Sequence, residues 1–179
     1  TEVAKTLFAR AGLDYDKLRL AANKRGFRAV PMKGLKLNAV THSAATRMNT
    51  RNVIGVVPGT TKPNEYVLYT AHWDHLGIGP DVAGDRIYNG AKDNAVGVGG
   101  LVELARAFTR LPSPLKRSVL FIAVTAEEQG LLGSQYYAEH PIYPLSRTVA
   151  AINIDGLNVH GRTRDLTIIG HGASNLDDY

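Results

Sequence analysis

Apolar positions follow two rhythms that begin to alternate near residue 52. Residues 52–57, 66–71, 118–124, 148–154 and 166–169 are short, largely apolar runs of the length and composition that predict strands. Residues 94–111 and 128–139 predict helices; in the first, Val98, Leu101, Val102, Ala105 and Phe108 recur every three or four positions. Pro58 to Asn64 reads as a turn-rich loop, so the strands on either side of it are expected to pair as a hairpin, and Gly77 to Gly90 reads as a glycine-rich loop. Strands that are apolar on both faces and alternate with helices predict an α/β fold, with a largely parallel β-sheet and helices on both faces.

Before residue 52 the pattern is weaker. Asp14 to Asn23 predicts a short helix stopped by Arg25-Gly26, and residues 27–50 read as extended and irregular. Residues 1–35 are therefore read as a linker or the tail of a neighbouring domain, and residues 36–179 as the principal domain. With 44% hydrophobic and 21% charged residues, the 179-residue chain has an ordinary globular composition and room for one sizeable core. No apolar run is long enough to span a bilayer, so no transmembrane segment is expected. The first residue is Thr1 and no basic-then-apolar signal follows, which suggests that the sequence begins inside a longer precursor.

Charge and cysteine content narrow the chemistry. The net charge is +5, but residues 1–52 hold 11 basic side chains against 3 acidic ones, leaving 10 against 13 afterwards. This is read as a solvated basic surface on the leading segment. No aromatic interleaving or nucleic-acid motif accompanies it, so no nucleic-acid partner is expected. Cysteine is absent, which excludes disulfides, thiolate metal sites and a cysteine nucleophile within the chain.

The chemistry gathers at the strand ends. His72 and Asp74 follow the 66–71 strand, Asp93 precedes the 94–111 helix, Glu127 and Glu128 follow the 118–124 strand, and Asp155 follows the 148–154 strand. In open α/β sheets ligands bind beyond the carboxyl ends of the strands, and parallel neighbours would bring these six residues to one edge. Each has an ordinary explanation when taken singly. Asp93-Asn94 fits a helix cap, Thr125 with Glu128 fits a capping box, and Asp155-Gly156 fits a turn. Together they are harder to explain that way, because several carboxylates and one imidazole at a shared edge repel one another unless a cation sits among them. A His-plus-carboxylate set without thiolate suits zinc in a hydrolytic site, and the excess of carboxylates suggests two ions. Asp74 lies at the right distance along the chain to accept the second N–H of His72.

Four ordered segments carry a resemblance. Thr70-Ala71-His72-Trp73-Asp74-His75-Leu76-Gly77, Gly90-Ala91-Lys92-Asp93-Asn94-Ala95-Val96-Gly97, Ala126-Glu127-Glu128-Gln129-Gly130-Leu131-Leu132-Gly133-Ser134 and Asn153-Ile154-Asp155-Gly156 resemble the zinc aminopeptidases of metallopeptidase family 28. The resemblance covers residues 52–172 and implies a mixed β-sheet between helices, with residues 36–179 forming the N-terminal part of the catalytic domain. It implies that His72 and Asp155 bind one Zn2+, that Glu128 binds a second, and that Asp93 bridges the two. It makes Glu127 the general base, which takes a proton from the attacking water and delivers it to the leaving amine, and it has Asp74 hold His72. It also implies a cis peptide at Asp93-Asn94, a peptide substrate and an exported protein.

The second ion has a further histidine ligand in the family, well downstream of the position matching Asp155. Of the later histidines here, His160 and His171, neither lies in a matching motif; both read as surface or supporting residues, with His171 the candidate exception, while His75 is close enough to line the cleft but reads equally as solvent-facing. The expectation is therefore one nearly complete metal site, one deficient site, a domain incomplete at its C-terminal end and impaired catalysis. Removal of N-terminal residues is the leading reading. A carboxypeptidase, a glutaminyl-cyclase-like enzyme and a non-catalytic interaction domain of the same fold are the alternatives.

Overall fold

The computed structural model describes every residue except Val159, Leu166 and Tyr179. Two compact units are present, Thr1–Arg47 and Met48–Tyr179. The first contains α1 (Glu2–Arg10) and α2 (Tyr15–Ala22). The carboxylate of Asp14 caps α2 by accepting from the Lys17 amide at 2.9 Å, and Phe8 meets Tyr15 edge to face at 5.3 Å. α1 has no counterpart in the periodicity reading. Like α2, which the sequence did predict, it has no buried residue.

The second unit is built on β1 (Val53–Val57), β2 (Lys62–His72), a ribbon of β3 (Gly77–Val82) and β4 (Asp85–Tyr88), α3 (Val96–Thr109), β5 (Arg117–Val124), α4 (Leu132–Glu139) and β6 (Thr148–Asn153). The main sheet has the order β1-β5-β2-β6, with β5 and β6 parallel to β2 and β1 antiparallel to β5. It is a mixed, mostly parallel sheet.

The expected hairpin between 52–57 and 66–71 does not form, because β5 lies between those strands. The turn after β1 passes over the start of β5 instead. The Gly59 amide donates to the Ser118 hydroxyl at 3.0 Å, the Thr60 amide to the Leu115 carbonyl at 2.8 Å and the Lys62 amide to the Lys116 carbonyl at 2.8 Å. A Cβ at Gly59 would collide with the Arg117–Ser118 backbone, so this crossing requires glycine. A short turn between two apolar runs is compatible with either pairing, and the strongly apolar β5 is better buried in the middle.

β5 is central in energetic terms as well. Leu120, Ile122 and Val124 pack with Tyr66, Leu68 and Tyr137 of α4, while Val119 and Phe121 point the other way and pack with Ala71 and Leu101 of α3. Each face of the sheet therefore carries a helix. Leu120 and Ile122 are fully buried, and truncating either to Ala would cost about 2–5 kcal/mol.

Three further expectations change. Residues 77–90, read as a loop, form the β3–β4 ribbon, turned by Ala83 and Gly84, which both adopt positive φ as a two-residue hairpin loop demands. The helix expected over 128–139 starts only at Leu132, because Ala126, Gly130 and Leu131 adopt positive φ and cannot continue a right-handed helix. The strand expected over 166–169 begins on Leu166, outside the described residues, and Thr167 to Ile169 form no strand. Among the described residues no helix is long and apolar enough to cross a membrane.

Candidate metal centre

The parallel strands end together. His72, the last residue of β2, is in register with Val124 at the end of β5, and Thr70 with Asn153 at the end of β6. The segments that leave this edge carry all six acidic and imidazole residues singled out by their position in the sequence. His72 is 2% exposed, while Asp93 and Asp155 are about half-exposed and face it from the solvent side.

The tautomer of His72 follows from its surroundings. Nδ1 lies 2.9 Å from the backbone carbonyl of Asp74, which can only accept, so Nδ1 carries the proton in the neutral ring. The Asp74 carboxylate is 3.8 Å away, too far for a hydrogen bond, so Asp74 orients the imidazole through its main chain. Its carboxylate does something else. Oδ1 accepts the Glu127 amide at 3.1 Å and Oδ2 faces the Glu128 amide at 3.4 Å, which anchors the turn between β5 and α4.

Nε2 of His72 is therefore a bare lone pair. It is buried without a hydrogen-bond partner, yet the carboxylate oxygens of Asp93, Asp155 and Glu127 lie 2.9, 3.5 and 3.9 Å from it. A lone pair facing three carboxylates is repulsive unless a positive charge lies between them. One such charge is a proton. Burial works against protonating the ring, but the Asp74 carbonyl and the carboxylates of Asp155, Glu127 and Asp93 outweigh it, and the His72 pKa lies above its ordinary value. The other is a metal ion, and the donors fit one. His72, Asp93 and Asp155 offer a nitrogen and two carboxylate oxygens within 4.8 Å of one another, three protein ligands of the kind zinc uses where a further position stays open to water or substrate.

Glu127 sits among these acids, partly withdrawn from water. Burial raises its pKa, His72 offsets part of that rise, and Asp155, Glu128 and Asp74 add to it. Ala126, held at φ 52°, turns the chain as it leaves β5 and brings the Glu127 amide to the Asp74 carboxylate. Asn52 fastens the same turn from β1's side, accepting the Thr125 amide at 3.0 Å and donating to the Gly133 carbonyl at 2.8 Å.

Two residues do more than the sequence reading assigned them. Asn94 is 1% exposed; its side chain donates to the Ile154 carbonyl at 2.8 Å and accepts the Gly97 and Gly156 amides at 3.1 and 3.3 Å. One amide thus ties the residues after Asp93 to both neighbours of Asp155. The preceding peptide, Asp93-Asn94, is cis. His75, for which the sequence left cleft-lining and solvent-facing places open, meets Glu128 at 2.6 Å and lies with Asp93 and Glu128 in a second set of converging donors. His160 and His171 belong to neither set.

Comparison with known proteins agrees with this chemistry. The model of peptidase family M28 matches residues 52–179. Aminopeptidase YwaD of Bacillus subtilis (strain 168) is 33% identical over 146 residues, covering 76% of this chain and 30% of its own length. A probable zinc metalloprotease of Pyrenophora teres f. teres (strain 0-1) is 36% identical over 109 residues, covering 60% of this chain and 23% of its own. The crystal structure of a peptidase M28 precursor from Shewanella amazonensis SB2B aligns with a TM-score of 0.48 and 34% identity, over 58% of this chain and 22% of that one. The chain thus spans less than a third of the length of each of these three proteins.

Proposed function

The chain belongs to peptidase family M28, and from that premise we propose that it forms the catalytic core of a zinc-dependent aminopeptidase whose cleft lies at the carboxyl edge of the β-sheet. The observation that carries the proposal is the bare Nε2 of His72, buried and aimed at Asp93 and Asp155 with Glu127 beside them. The zinc named for one relative and the aminopeptidase activity named for another support the choice of metal and reaction.

In this reading His72, Asp93 and Asp155 would hold one Zn2+, and Asp93 and Glu128 would contribute to a second. Zinc, when bound, supplies a Lewis acid that polarises a carbonyl and makes an attacking water acidic near neutral pH. Glu127 is the general base. Its carboxylate takes one proton from the water as the water oxygen bonds to the peptide carbonyl carbon, then passes that proton to the amine nitrogen as the C–N bond breaks. An elevated pKa suits this double duty, since the group must hold the proton between the two transfers. Asp74 keeps Glu127 in place through the amide it accepts and, through its carbonyl, holds the proton of the neutral His72 ring on Nδ1 so that Nε2 faces the carboxylates.

The test is hydrolysis of aminoacyl-nitroanilides and of peptides blocked at one terminus or the other, with and without a chelator. Zinc-dependent release from the free N-terminus is expected. Activity indifferent to the chelator would remove the mechanism, and cleavage that needs a free C-terminus would reassign the enzyme as a carboxypeptidase.

A further inference from the structure

His72, Asp93 and Asp155 come from three separate segments, and two of them carry like charges. Asp93 and Asp155 are about half-exposed, with carboxylate oxygens 2.9 and 3.5 Å from Nε2 of His72. Two carboxylates that converge on one point repel each other, so their segments need a tie that holds before any cation arrives. The side chain of Asn94 supplies one. It is almost wholly buried, donates to the Ile154 carbonyl at 2.8 Å and accepts the Gly156 amide at 3.3 Å, so it grips the chain on both sides of Asp155 while its own backbone follows Asp93. The Ile154 amide in turn donates to the Thr70 carbonyl at 2.8 Å, two residues before His72. A single hydrogen-bonded path therefore links the segments of all three donors.

We infer that Asn94 is a positioning residue for the first ion: its amide presets the gap between the Asp93 and Asp155 carboxylates and so raises the affinity of the site; the inference rests on the zinc-peptidase reading above. A primary amide suits the task because it donates and accepts at once and adds no charge beside Asp93, Asp155 and Glu127. An ionised carboxylate of the same shape could only accept, and would leave the Ile154 carbonyl without its donor. Gly97 is fitted to the same arrangement. A Cβ there would collide with the Asn94 amide, so the first turn of α3 leaves that side chain its space and also donates a backbone amide to it at 3.1 Å.

A group that orients ligands and a group that only steadies the fold predict different outcomes. Co2+ and Zn2+ affinities of the full chain are measured by competition with a chromophoric chelator, and bound metal is counted from the Co2+ absorption. Asn94→Ala is expected to weaken the tightest ion about 10–100-fold while the number bound at saturation stays the same. Gly97→Ala, which pushes the Asn94 amide aside without changing its chemistry, is expected to do likewise, and the double variant to lose no more than either single one, because both act on one contact. Leu120→Ala, which weakens the core on the α4 side of the sheet, is expected to keep wild-type affinity. Circular dichroism of the metal-free forms checks that each variant folds, and Gly97→Ala carries the test if Asn94→Ala does not fold. Wild-type affinity in folded Asn94→Ala or Gly97→Ala, or an equal loss in Leu120→Ala, would overturn the inference and leave Asn94 a purely structural role, with the metal reading intact. A wild type that binds no ion, or one whose ion is untouched by His72→Ala, would sink the zinc-peptidase reading and the inference with it.

Discussion

The two ends of β2 handle acidic side chains in opposite ways. Near its amino end, Glu65 is met by Arg117 Nε at 2.6 Å and by Lys62 Nζ at 3.1 Å, and these partners hold its pKa below the usual value. Beyond its carboxyl end, Asp93, Glu127 and Asp155 surround His72, and among the described residues none of them is paired with Lys or Arg. There burial lifts the pKa of Glu127. One end is neutralised from within the chain; at the other the acids have no Lys or Arg partner among the described residues, and on the proposed reading that charge is met by a cation.

The largest effect expected of this asymmetry is on catalysis. Glu127→Gln should lower kcat by about 10²–10⁴-fold, the range for losing a general base, while metal stoichiometry stays at the wild-type value. Steady-state kinetics alongside metal counting checks this, and metal lost together with activity would show Glu127 to be a ligand instead.

Zinc itself should come next. At a free concentration about 100 times its Kd it should stabilise the fold by about 2.7 kcal/mol, seen as a higher urea midpoint. Asp155→Asn should lose most of that gain, and Glu65→Gln should keep it.

The pH dependence should have opposite signs at the two ends. His72 and Glu127 both titrate above their ordinary values of 6.5 and 4.5, so folding favours their protonated forms. In chelator their contributions are complete below those values and disappear as pH rises through the folded ones. Glu65 titrates below 4.5, so its contribution is complete above that pH and is lost as pH falls through its depressed value. Urea midpoints of the metal-free chain from pH 5 to 9 should therefore decline, and saturating zinc should flatten or reverse the decline. A metal-free midpoint that climbs over this range would contradict the site electrostatics. The smallest effect is that of Glu65→Gln, a slight, salt-sensitive loss at neutral pH, because the pair it breaks is open to solvent.

Much of the site was legible before any coordinates. His72, Asp93, Glu127, Glu128 and Asp155 sit where apolar runs stop, and a parallel sheet must bring such positions to one edge. What stayed hidden depended on partners distant in the chain. Asp74 was expected to hold His72 with its carboxylate but does so with its carbonyl, because the carboxylate is drawn to the amides of Glu127 and Glu128, 53 and 54 positions away. The sequence left His75 open between lining the cleft and facing solvent, because its neighbours Tyr88, Gly90 and Glu128 lie 13, 15 and 53 positions along the chain.

Sequence by itself determined the α/β class, the buried character of β5 and the shared edge at which the acids collect, since hydrophobic rhythm and strand-end position are local properties of the chain. Tertiary structure alone decided that β5 would come between β1 and β2, which atom of Asp74 faces His72, and that Nε2 is the nitrogen left bare. Strand pairing and hydrogen-bond choice are settled by competition among distant groups, and a linear sequence holds the competitors without ranking them.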